Sequence, residues 1–261
     1  PLLELGTKLK IVSNMAVGYN NIDVAAATER GIMVTNTPGV LTETTADLTF
    51  ALLMAASRRL VEASDYLREG KWKTWSPMQL TGQDIYGATL GIFGLGRIGE
   101  ALARRARGFD MKIYYHNRSR KVEVEEQLGI EYVDKEKLLR ESDFICVLMP
   151  FTPETKNYIG AAELSLMKQS AVLINTARGG IVDEKALYHA LKNGDIWGAG
   201  IDVFEEEPVR TDHPLLSLHN VVALPHIGSA SQNTRLKMAT LAAENLLTGL
   251  QGETPKHLVN R

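Results

Sequence analysis

The sequence contains one cysteine and no long apolar run, and both shortages limit what the protein can be. Cys146 has no second cysteine with which to form an internal disulfide. We interpret it as a small core residue in a reducing compartment. No apolar run approaches the roughly 20 residues that a membrane-spanning helix needs, and the first residues do not have the pattern of a signal peptide. We therefore expect a cytoplasmic protein without a membrane partner.

The sequence also lacks an excess of charge of either sign. Its 29 lysine and arginine residues nearly balance 31 aspartate and glutamate residues, which argues against a broad basic surface for nucleic acid. At 261 residues, the chain is long enough for one large or two modest domains. We expect a small-molecule ligand, no nucleic-acid partner and no metal site.

Short apolar runs alternate with helical patterns along most of the chain. Runs such as 89–93 and 144–148 have the length and composition of buried strands. Their alternation with helices predicts a parallel sheet covered by helices on both faces. One long helix is predicted from Thr42 to Glu69. The tryptophans that follow it, Trp72 and Trp75, could form an oligomer contact or pack locally.

One strand–helix unit contains a glycine-rich turn with the spacing of a dinucleotide-binding site. The first glycine suits a tight turn, the second lets a pyrophosphate approach the backbone, and the third lets the helix pack closely. The N–H groups at the helix N-terminus suit the phosphates. A P-loop is excluded because lysine and serine or threonine do not follow the second glycine. The predicted cofactor-binding residues of this turn are Gly94, Leu95, Gly96, Arg97, Ile98 and Gly99.

The end of the next strand distinguishes NAD from NADP. An NAD enzyme normally has Asp or Glu there, which accepts hydrogen bonds from the adenosine ribose, whereas this sequence has Asn117, Arg118 and Ser119. A carboxylate would repel a 2′-phosphate, and a guanidinium can bind one through two charge-assisted hydrogen bonds. A solvated basic turn is the alternative. We interpret the pattern as a preference for NADP(H), with NAD(H) possible.

Polar residues follow three later strands, at the sheet edge where open α/β sheets bind ligands. They are Arg178, the glutamates at 205–207 and His226. An arginine can hold the carboxylate of a 2-oxo acid, and a histidine oriented by a carboxylate can protonate the developing alkoxide. Arg178 alone could be a surface ion-pair partner, and a lone histidine is more often structural. Spacing does not choose among the three glutamates.

Five motifs resemble, in order along the chain, the signatures of the D-isomer-specific 2-hydroxyacid dehydrogenases. They are Val-Gly-Tyr-Asn-Asn-Ile-Asp at 17–23, the glycine turn at 94–99, Asn-Thr-Ala-Arg-Gly-Gly at 175–180, Asp-Val-Phe-Glu-Glu-Glu-Pro at 202–208 and Pro-His-Ile-Gly-Ser at 225–229. The resemblance implies a catalytic set of Arg178, Glu207 and His226. For the substrate it implies Val17, Gly18, Arg178, His226 and Ser229. For the cofactor it adds Asn117, Arg118, Ser119, Leu148, Thr176, Asp202 and Gly228, with Asp202 on the nicotinamide carboxamide.

The resemblance also implies the architecture and the activity. We expect a doubly wound, Rossmann-type nucleotide domain at 42–228. A flavodoxin-like substrate domain is expected at 1–41, completed by 229–261. Because family members carry a further segment ahead of this start, the substrate domain is expected to be truncated at its N-terminus. The expected reaction reduces glyoxylate, hydroxypyruvate or 2-ketogluconate to the D-2-hydroxy acid with NADPH, in a homodimer formed through the nucleotide domain.

Two alternatives stay open at this point. An NAD-dependent dehydrogenase of the D-3-phosphoglycerate or D-lactate type would share most of the motifs and would prefer NADH. A non-catalytic dinucleotide-sensing protein, like the corepressors that share this fold, would bind the cofactor without turnover. Formate dehydrogenases are similar too, but they usually have a glutamine at the position of Glu207.

Overall fold

The computed structural model describes residues 2–260 and divides into two compact units. The larger unit is Thr45–Gly228, and the smaller unit is made of the residues on either side of it. Each unit has its own parallel sheet and its own buried apolar cluster.

Helices and strands alternate along most of the described chain. The helices are α1 (Leu2–Leu5), α2 (Val24–Glu29), α3 (Thr42–Ser57), α4 (Leu60–Arg68), α5 (Arg97–Arg107), α6 (Val122–Leu128), α7 (Lys135–Glu141), α8 (Ala161–Leu166), α9 (Glu184–Asn193) and α10 (Gln232–Leu250). The strands are β1 (Ile11–Ser13), β2 (Met33–Thr35), β3 (Thr89–Phe93), β4 (Lys112–His116), β5 (Glu131–Tyr132), β6 (Phe144–Val147), β7 (Val172–Asn175), β8 (Gly198–Ile201) and β9 (Val221–Ala223). Short 3₁₀ helices lie at Pro153–Thr155 and Pro214–Ser217.

The larger unit is built on a seven-stranded parallel sheet in the order β5-β4-β3-β6-β7-β8-β9. The chain enters at β3, builds to one edge at β5, returns to β6 beside β3 and then builds to the other edge. Loops after β3 and β6 therefore leave the sheet in opposite directions, and the crevice between such loops is where doubly wound sheets bind dinucleotides. The predicted Rossmann-type α/β fold is confirmed.

The central strands are buried on both faces, as near-continuous apolar runs in a parallel sheet require. Alternate residues of β3 point to opposite faces, so that Phe93 belongs to one buried cluster and Ile92 to the other. Cys146 on β6 is fully buried, and this burial raises the pKa of its thiol. The interpretation of Cys146 as a core residue is confirmed.

The single long helix predicted from Thr42 to Glu69 is wrong, because the structure has two helices there. α3 ends at Ser57, and Arg59 takes a left-handed conformation with φ +53° before α4 begins. The Ser57 carbonyl accepts a hydrogen bond from the N–H of Gln83 at 2.9 Å, so a distant loop occupies the acceptor at which α3 ends. No periodicity within the helical segment could show that contact.

The smaller unit packs its two parallel strands against helices at both ends of its sequence. β1 pairs with β2 in register from Ile11↔Met33 to Ser13↔Thr35. The Ser13 hydroxyl donates to the Ala242 carbonyl of α10 at 2.7 Å. Among residues 2–260, no helix is both long and apolar enough to cross a bilayer.

Candidate active site

The turn after β3 has the backbone shape that its glycines predict. Gly94 has φ +97°, in the left-handed region that favours glycine. A Cβ at Gly99 would lie 2.5 Å from the carbonyl oxygen of Gly94, so a larger residue would push α5 away from the turn. A Cβ built at Gly96 meets no atom within 4 Å, which leaves an open face at the start of α5. Such a face suits a pyrophosphate.

Asn117 is fixed beside this turn by its side chain. Its Oδ1 accepts a hydrogen bond from the N–H of Leu95 at 2.8 Å. No other hydrogen bond between described residues uses the side-chain amide, so its Nδ2 hydrogens are available to an acceptor on a ligand. An aspartate could accept the same bond from Leu95, but it would add a negative charge to the site.

The basic turn that follows Asn117 contains three cations with different surroundings. Arg120 forms two-pronged hydrogen bonds with Glu125, and Lys121 pairs with Glu100 at 2.7 Å. Arg118 is exposed, and no hydrogen bond or ion pair between residues 2–260 engages its guanidinium. Arg118 is therefore the cation of this turn that can bind a 2′-phosphate without first breaking an ion pair.

Three further predicted cofactor residues follow strands at the same edge. Ser119 is exposed beside Arg118, and Leu148 is half-buried directly after β6. Thr176 is buried after β7, where its hydroxyl lies 2.7 Å from the hydroxyl of Thr49. No motif in the sequence points to Thr49, whose side chain also donates to the Thr45 carbonyl within α3.

Arg178 lies in a tight loop after β7 that is closed by the side chain of Asn175. The Asn175 amide donates to the Arg178 carbonyl at 3.0 Å, and its oxygen accepts from the N–H of Ala177 at 3.1 Å. The Arg178 guanidinium donates to the Ala177 carbonyl at 2.7 Å. Burial lowers the pKa of Arg178, and the nearby carboxylate of Glu207 acts in the opposite direction. The guanidinium is thus held in place near a negative charge.

Glu207 and His226 form a direct pair. Glu207 Oε2 lies 2.7 Å from His226 Nδ1, and Glu207 Oε1 accepts from the N–H of Phe204 at 3.0 Å. The structure thereby places Glu207, rather than Glu205 or Glu206, against the histidine. A carboxylate at Nδ1 selects the form with hydrogen on Nδ1, which leaves Nε2 to exchange a proton with a ligand. The pair is open to solvent, with side chains 37% and 45% exposed.

The backbone of His226 is also unusual. It has φ +54°, a left-handed conformation that few residues other than glycine adopt. A residue held in this backbone conformation destabilises the fold by about 1–3 kcal/mol, and such residues cluster at functional sites.

The loops that carry Arg178 and Glu207 touch each other at a glycine. A Cβ built on Gly179 would lie 1.9 Å from the carbonyl oxygen of Phe204 and 2.4 Å from the nitrogen of Glu205. Only a residue without a side chain permits this approach. Gly179 therefore lets the Arg178 loop pack directly on the loop that holds Glu207.

Asp202 presents a buried oxygen without a partner. Its side chain is buried, and Oδ1 accepts from the N–H of Ile227 at 2.7 Å, while Oδ2 has no hydrogen-bond partner among the described residues. Burial raises the pKa of this carboxyl, and the N–H groups of Ile227 and Gly228 act in the opposite direction. A buried polar atom normally has a partner, and a nicotinamide carboxamide offers the N–H donors that this carboxylate lacks.

The predicted carboxylate-binding turn lies in the smaller unit. Its three carbonyls accept hydrogen bonds at 2.8–2.9 Å, Ala16 from the N–H of Thr37, Val17 from the Asn36 amide and Gly18 from the Asn14 amide. No hydrogen bond between described residues uses the N–H groups of Val17 and Gly18. The N–H groups of Val17 and Gly18 are free while the neighbouring carbonyls are hydrogen-bonded, an arrangement that suits an anion.

The sequence did not indicate Asn14 and Asn36, because an asparagine in a turn has many local roles. Ser229, at the other end of this unit's sequence, is half-buried.

Comparisons with known proteins decide the family. A sequence model of the D-isomer specific 2-hydroxyacid dehydrogenase NAD-binding domain matches residues 50–228. The chain belongs to this family. It is 59% identical over 261 residues to a glyoxylate reductase of Korarchaeum cryptofilum, covering all of this chain and 79% of that protein. It is 57% identical over 264 residues to a glyoxylate reductase of Thermococcus litoralis, covering 100% of this chain and 80% of that protein.

A solved structure agrees with this assignment. The NADPH-dependent glyoxylate/hydroxypyruvate reductase from Sinorhizobium meliloti, in complex with NADP and malonate, superposes with a TM-score of 0.89 at 42% identity. The alignment covers 99% of this chain and 80% of that one. The family resemblance read from the five motifs is confirmed, and so is an NAD(P)-dependent oxidoreductase of the 2-hydroxyacid dehydrogenase family.

The larger unit of this dehydrogenase brings several polar groups together at one edge of its sheet. One cation, one carboxylate–imidazole pair and one unpartnered carboxylate oxygen lie on neighbouring loops at the carboxyl edge of the larger sheet. The described residues contain no group of three or more His, Cys, Asp or Glu side chains placed to hold a metal ion.

Proposed function

We propose that this dehydrogenase reduces glyoxylate or hydroxypyruvate to the D-2-hydroxy acid with NADPH. The observation that carries the proposal is the 2.7 Å contact between Glu207 and His226, next to the loop of Arg178. The names of the relatives, glyoxylate reductase and glyoxylate/hydroxypyruvate reductase, support the choice of substrate. 2-Ketogluconate is a larger substrate that the same chemistry would serve.

Arg178 binds the substrate carboxylate and polarises the ketone oxygen. Its charge-assisted hydrogen bonds strengthen as negative charge develops on that oxygen. The N–H groups of Val17 and Gly18 are assigned to the same carboxylate, and Ser229 to the substrate. Bound NADPH supplies the hydride to the ketone carbon. The resemblance to the family implies these roles, and the hydrogen-bonding capacity of each residue is compatible with its role.

His226 gives the proton that completes the alcohol. With Nδ1 bonded to Glu207, the imidazolium donates from Nε2 to the developing alkoxide and becomes neutral. Glu207 fixes the ring orientation and stabilises the imidazolium before transfer. General acid catalysis of this kind contributes about 10²–10⁴-fold to the rate.

The residues that would hold NADPH follow strands of the larger sheet, at its carboxyl edge. Asp202 would accept from the nicotinamide carboxamide, Arg118 would bind the 2′-phosphate, and Asn117 and Ser119 would donate to the same group. The remaining residues assigned to the cofactor are Gly94, Leu95, Gly96, Arg97, Ile98, Gly99, Leu148, Thr176 and Gly228. The free guanidinium of Arg118 and the neutral side chain of Asn117 support NADPH over NADH.

The organisation of the whole protein is part of the proposal. We assign 42–228 to the dinucleotide-binding domain and 1–41 with 229–261 to the substrate domain. A cytoplasmic homodimer is proposed, formed through the dinucleotide-binding domain. Large apolar side chains exposed between α3 and β3 support that surface: Leu60, Val61, Leu67, Trp72, Trp75, Met78 and Tyr86. Light scattering of the purified protein tests the dimer.

A substrate panel assayed with both cofactors tests the function. We expect turnover of glyoxylate and hydroxypyruvate, with a higher kcat/KM for NADPH than for NADH. Hydroxypyruvate should give D-glycerate on chiral analysis; glycolate, the product from glyoxylate, has no stereocentre. A preference for NADH with 3-phosphohydroxypyruvate or pyruvate would favour the phosphoglycerate or lactate type. Cofactor binding without turnover of any 2-oxo acid would favour the sensing protein.

A further inference from the structure

A second carboxylate–histidine pair lies beside the proposed active site, and it has no role in the proposed chemistry. Glu184, the first residue of α9, lies 3.1 Å from His213 through Oε2 and Nε2. Its other oxygen, Oε1, accepts a hydrogen bond from the N–H of Glu205 at 2.6 Å. Both side chains are largely buried, at 14% and 23% exposure. The helix itself is capped by Asp183, which accepts from the N–H groups of Lys185 and Ala186, so the Glu184 carboxylate is not needed for capping.

The two contacts of Glu184 hold both ends of one loop. Glu205 lies just after β8, and His213 lies immediately before the 3₁₀ helix Pro214–Ser217. The ring of His213 also packs edge-on against Phe204, with centroids 5.7 Å apart and planes at 75°. The loop between them carries Glu207. One carboxylate therefore ties the beginning and the end of the Glu207 loop to the rigid start of α9.

The peptide between Phe204 and Glu205 connects this clamp to the proposed catalytic groups. The two residues joined by this peptide donate to different side chains. The N–H of Phe204 donates to Glu207, and the N–H of Glu205 donates to Glu184. Gly179, next to Arg178, packs against the same peptide. A shift of this peptide would therefore displace the partner of His226 and the loop of Arg178 together.

We propose that Glu184 and His213 are positioning residues, which hold the Phe204–Glu205 peptide so that Glu207 and Arg178 keep their places at the substrate. This inference rests on the proposed function, because the effect is read through turnover. Reaction rates depend steeply on such placement, and an error of about 1 Å can cost on the order of 10²-fold. Most of the residues assigned to NADPH lie in the glycine turn and the β4 loop, and Asp202 is held separately by the N–H of Ile227, so cofactor binding is not part of this role.

The variant Glu184→Gln tests the proposal. Glutamine carries no charge, so the contacts to the N–H of Glu205 and to Nε2 of His213 lose the charge assistance that a carboxylate gives them. We expect kcat with glyoxylate to fall about 10-fold while the KM and Kd for NADPH stay within about 2-fold. A matched control is Glu163→Gln in α8. Glu163 also accepts from a backbone N–H, that of Gly160, and pairs with a cation, Lys135, but it lies away from this loop. The Glu163→Gln variant should lose about as much thermal stability as Glu184→Gln and should keep the wild-type kcat.

A double-mutant cycle separates positioning from general stabilisation. In a Glu207→Gln background the group that Glu184 positions is already impaired, so adding Glu184→Gln should lower kcat by less than about 3-fold. A purely structural role would multiply the two losses in full and would overturn the proposal. Full kcat in Glu184→Gln, or an equal loss in Glu163→Gln, would also overturn it. If Glu184→Gln does not fold, His213→Gln, which keeps the bond to Glu205, takes its place and should show a smaller fall in kcat.

These outcomes differ from a failure of the proposed function. If the wild-type protein turns over no 2-oxo acid, the function itself is wrong. If the wild type is active and Glu207→Gln loses activity while Glu184→Gln keeps it, only the positioning role is wrong.

Discussion

At the scale of single residues, the contact between Glu207 and His226 determines where a proton can move. A carboxylate on Nδ1 leaves Nε2 as the exchanging nitrogen, and the backbone at His226 is left-handed, with φ +54°. The histidine and arginine could be proposed from the sequence because each follows a predicted strand. The choice of Glu207 could not come from spacing, since it depends on a turn in which Glu207 reaches back to the N–H of Phe204.

Replacement of His226 by alanine should reduce turnover and leave the cofactor bound. Without the proton donor we expect kcat with glyoxylate to fall about 10²–10⁴-fold, with the Kd for NADPH unchanged in a fluorescence titration. His219→Ala is the matched control, because His219 is also exposed but lies on the opposite side of β9 in sequence. Normal turnover in His226→Ala would mean that another group donates the proton.

Replacement of Arg118 by alanine should affect one cofactor only. Hydrogen bonds to charged groups contribute roughly 1.5–3 kcal/mol, so the KM for NADPH should rise about 10-fold or more, while the KM for NADH should change little. Arg140→Ala, which removes another exposed arginine, is the control. Equal effects on both cofactors would remove Arg118 from the 2′-phosphate site.

The buried carboxylate of Asp202 should lower the stability of the cofactor-free protein and strengthen the binding of NADPH. Its pKa is raised by burial. The ionised form therefore destabilises the fold above the folded pKa, and this cost vanishes below the unfolded pKa, where both states are protonated. Asp202→Asn should raise the Tm of the cofactor-free protein at about pH 7 by a few degrees, and the gain should shrink as the pH falls toward about 4.

The same Asp202→Asn variant should bind NADPH more weakly, because one carboxylate acceptor has been replaced by an amide that cannot supply both acceptors. Differential scanning fluorimetry across pH measures the first effect, and titration with NADPH measures the second. A gain in Tm that grows toward low pH would contradict the burial argument.

At the scale of elements, the glycine turns bring the active-site loops together. The strands of the larger sheet could be predicted because short apolar runs between helical patterns typically form buried strands in an α/β protein. The break between α3 and α4 could not be predicted, since it depends on Gln83 bonding to Ser57 from a distant loop. For the same reason, the approach of Gly179 to Phe204 was not visible in the motif that contains it.

Gly179→Ala should damage both stability and turnover. The added Cβ would overlap backbone atoms at 1.9 Å and 2.4 Å, and overpacking typically costs about 1–3 kcal/mol or more. The displaced loops carry Arg178 and Glu207, so kcat should fall with the Tm. In Gly160→Ala the nearest atom to the new Cβ is at 3.5 Å, and neither quantity should change greatly. Equal Tm and kcat in the two variants would show that the loops can adjust to a Cβ.

At the scale of the whole molecule, the sequence order of the strands places the reactive groups at one edge. The loops after β7, β8 and β9 supply Arg178, Glu207 and His226, and those strands are neighbours in the sheet. The parallel order could be inferred from the alternation of strands and helices, which sends every strand's carboxyl end to the same edge. The pairing of these strands, and with it the meeting of the three side chains, required the structure.

The central claim is that Arg178 and His226 hold a 2-oxo acid for reduction, and a crystal structure with NADP⁺ and oxamate tests it most directly. The account predicts the inhibitor carboxylate within about 3.2 Å of the Arg178 guanidinium. Its carbonyl oxygen should lie at hydrogen-bond distance from Nε2 of His226, with the nicotinamide carboxamide on Asp202. Oxamate bound beside the nicotinamide without contact to either Arg178 or His226 would contradict the account.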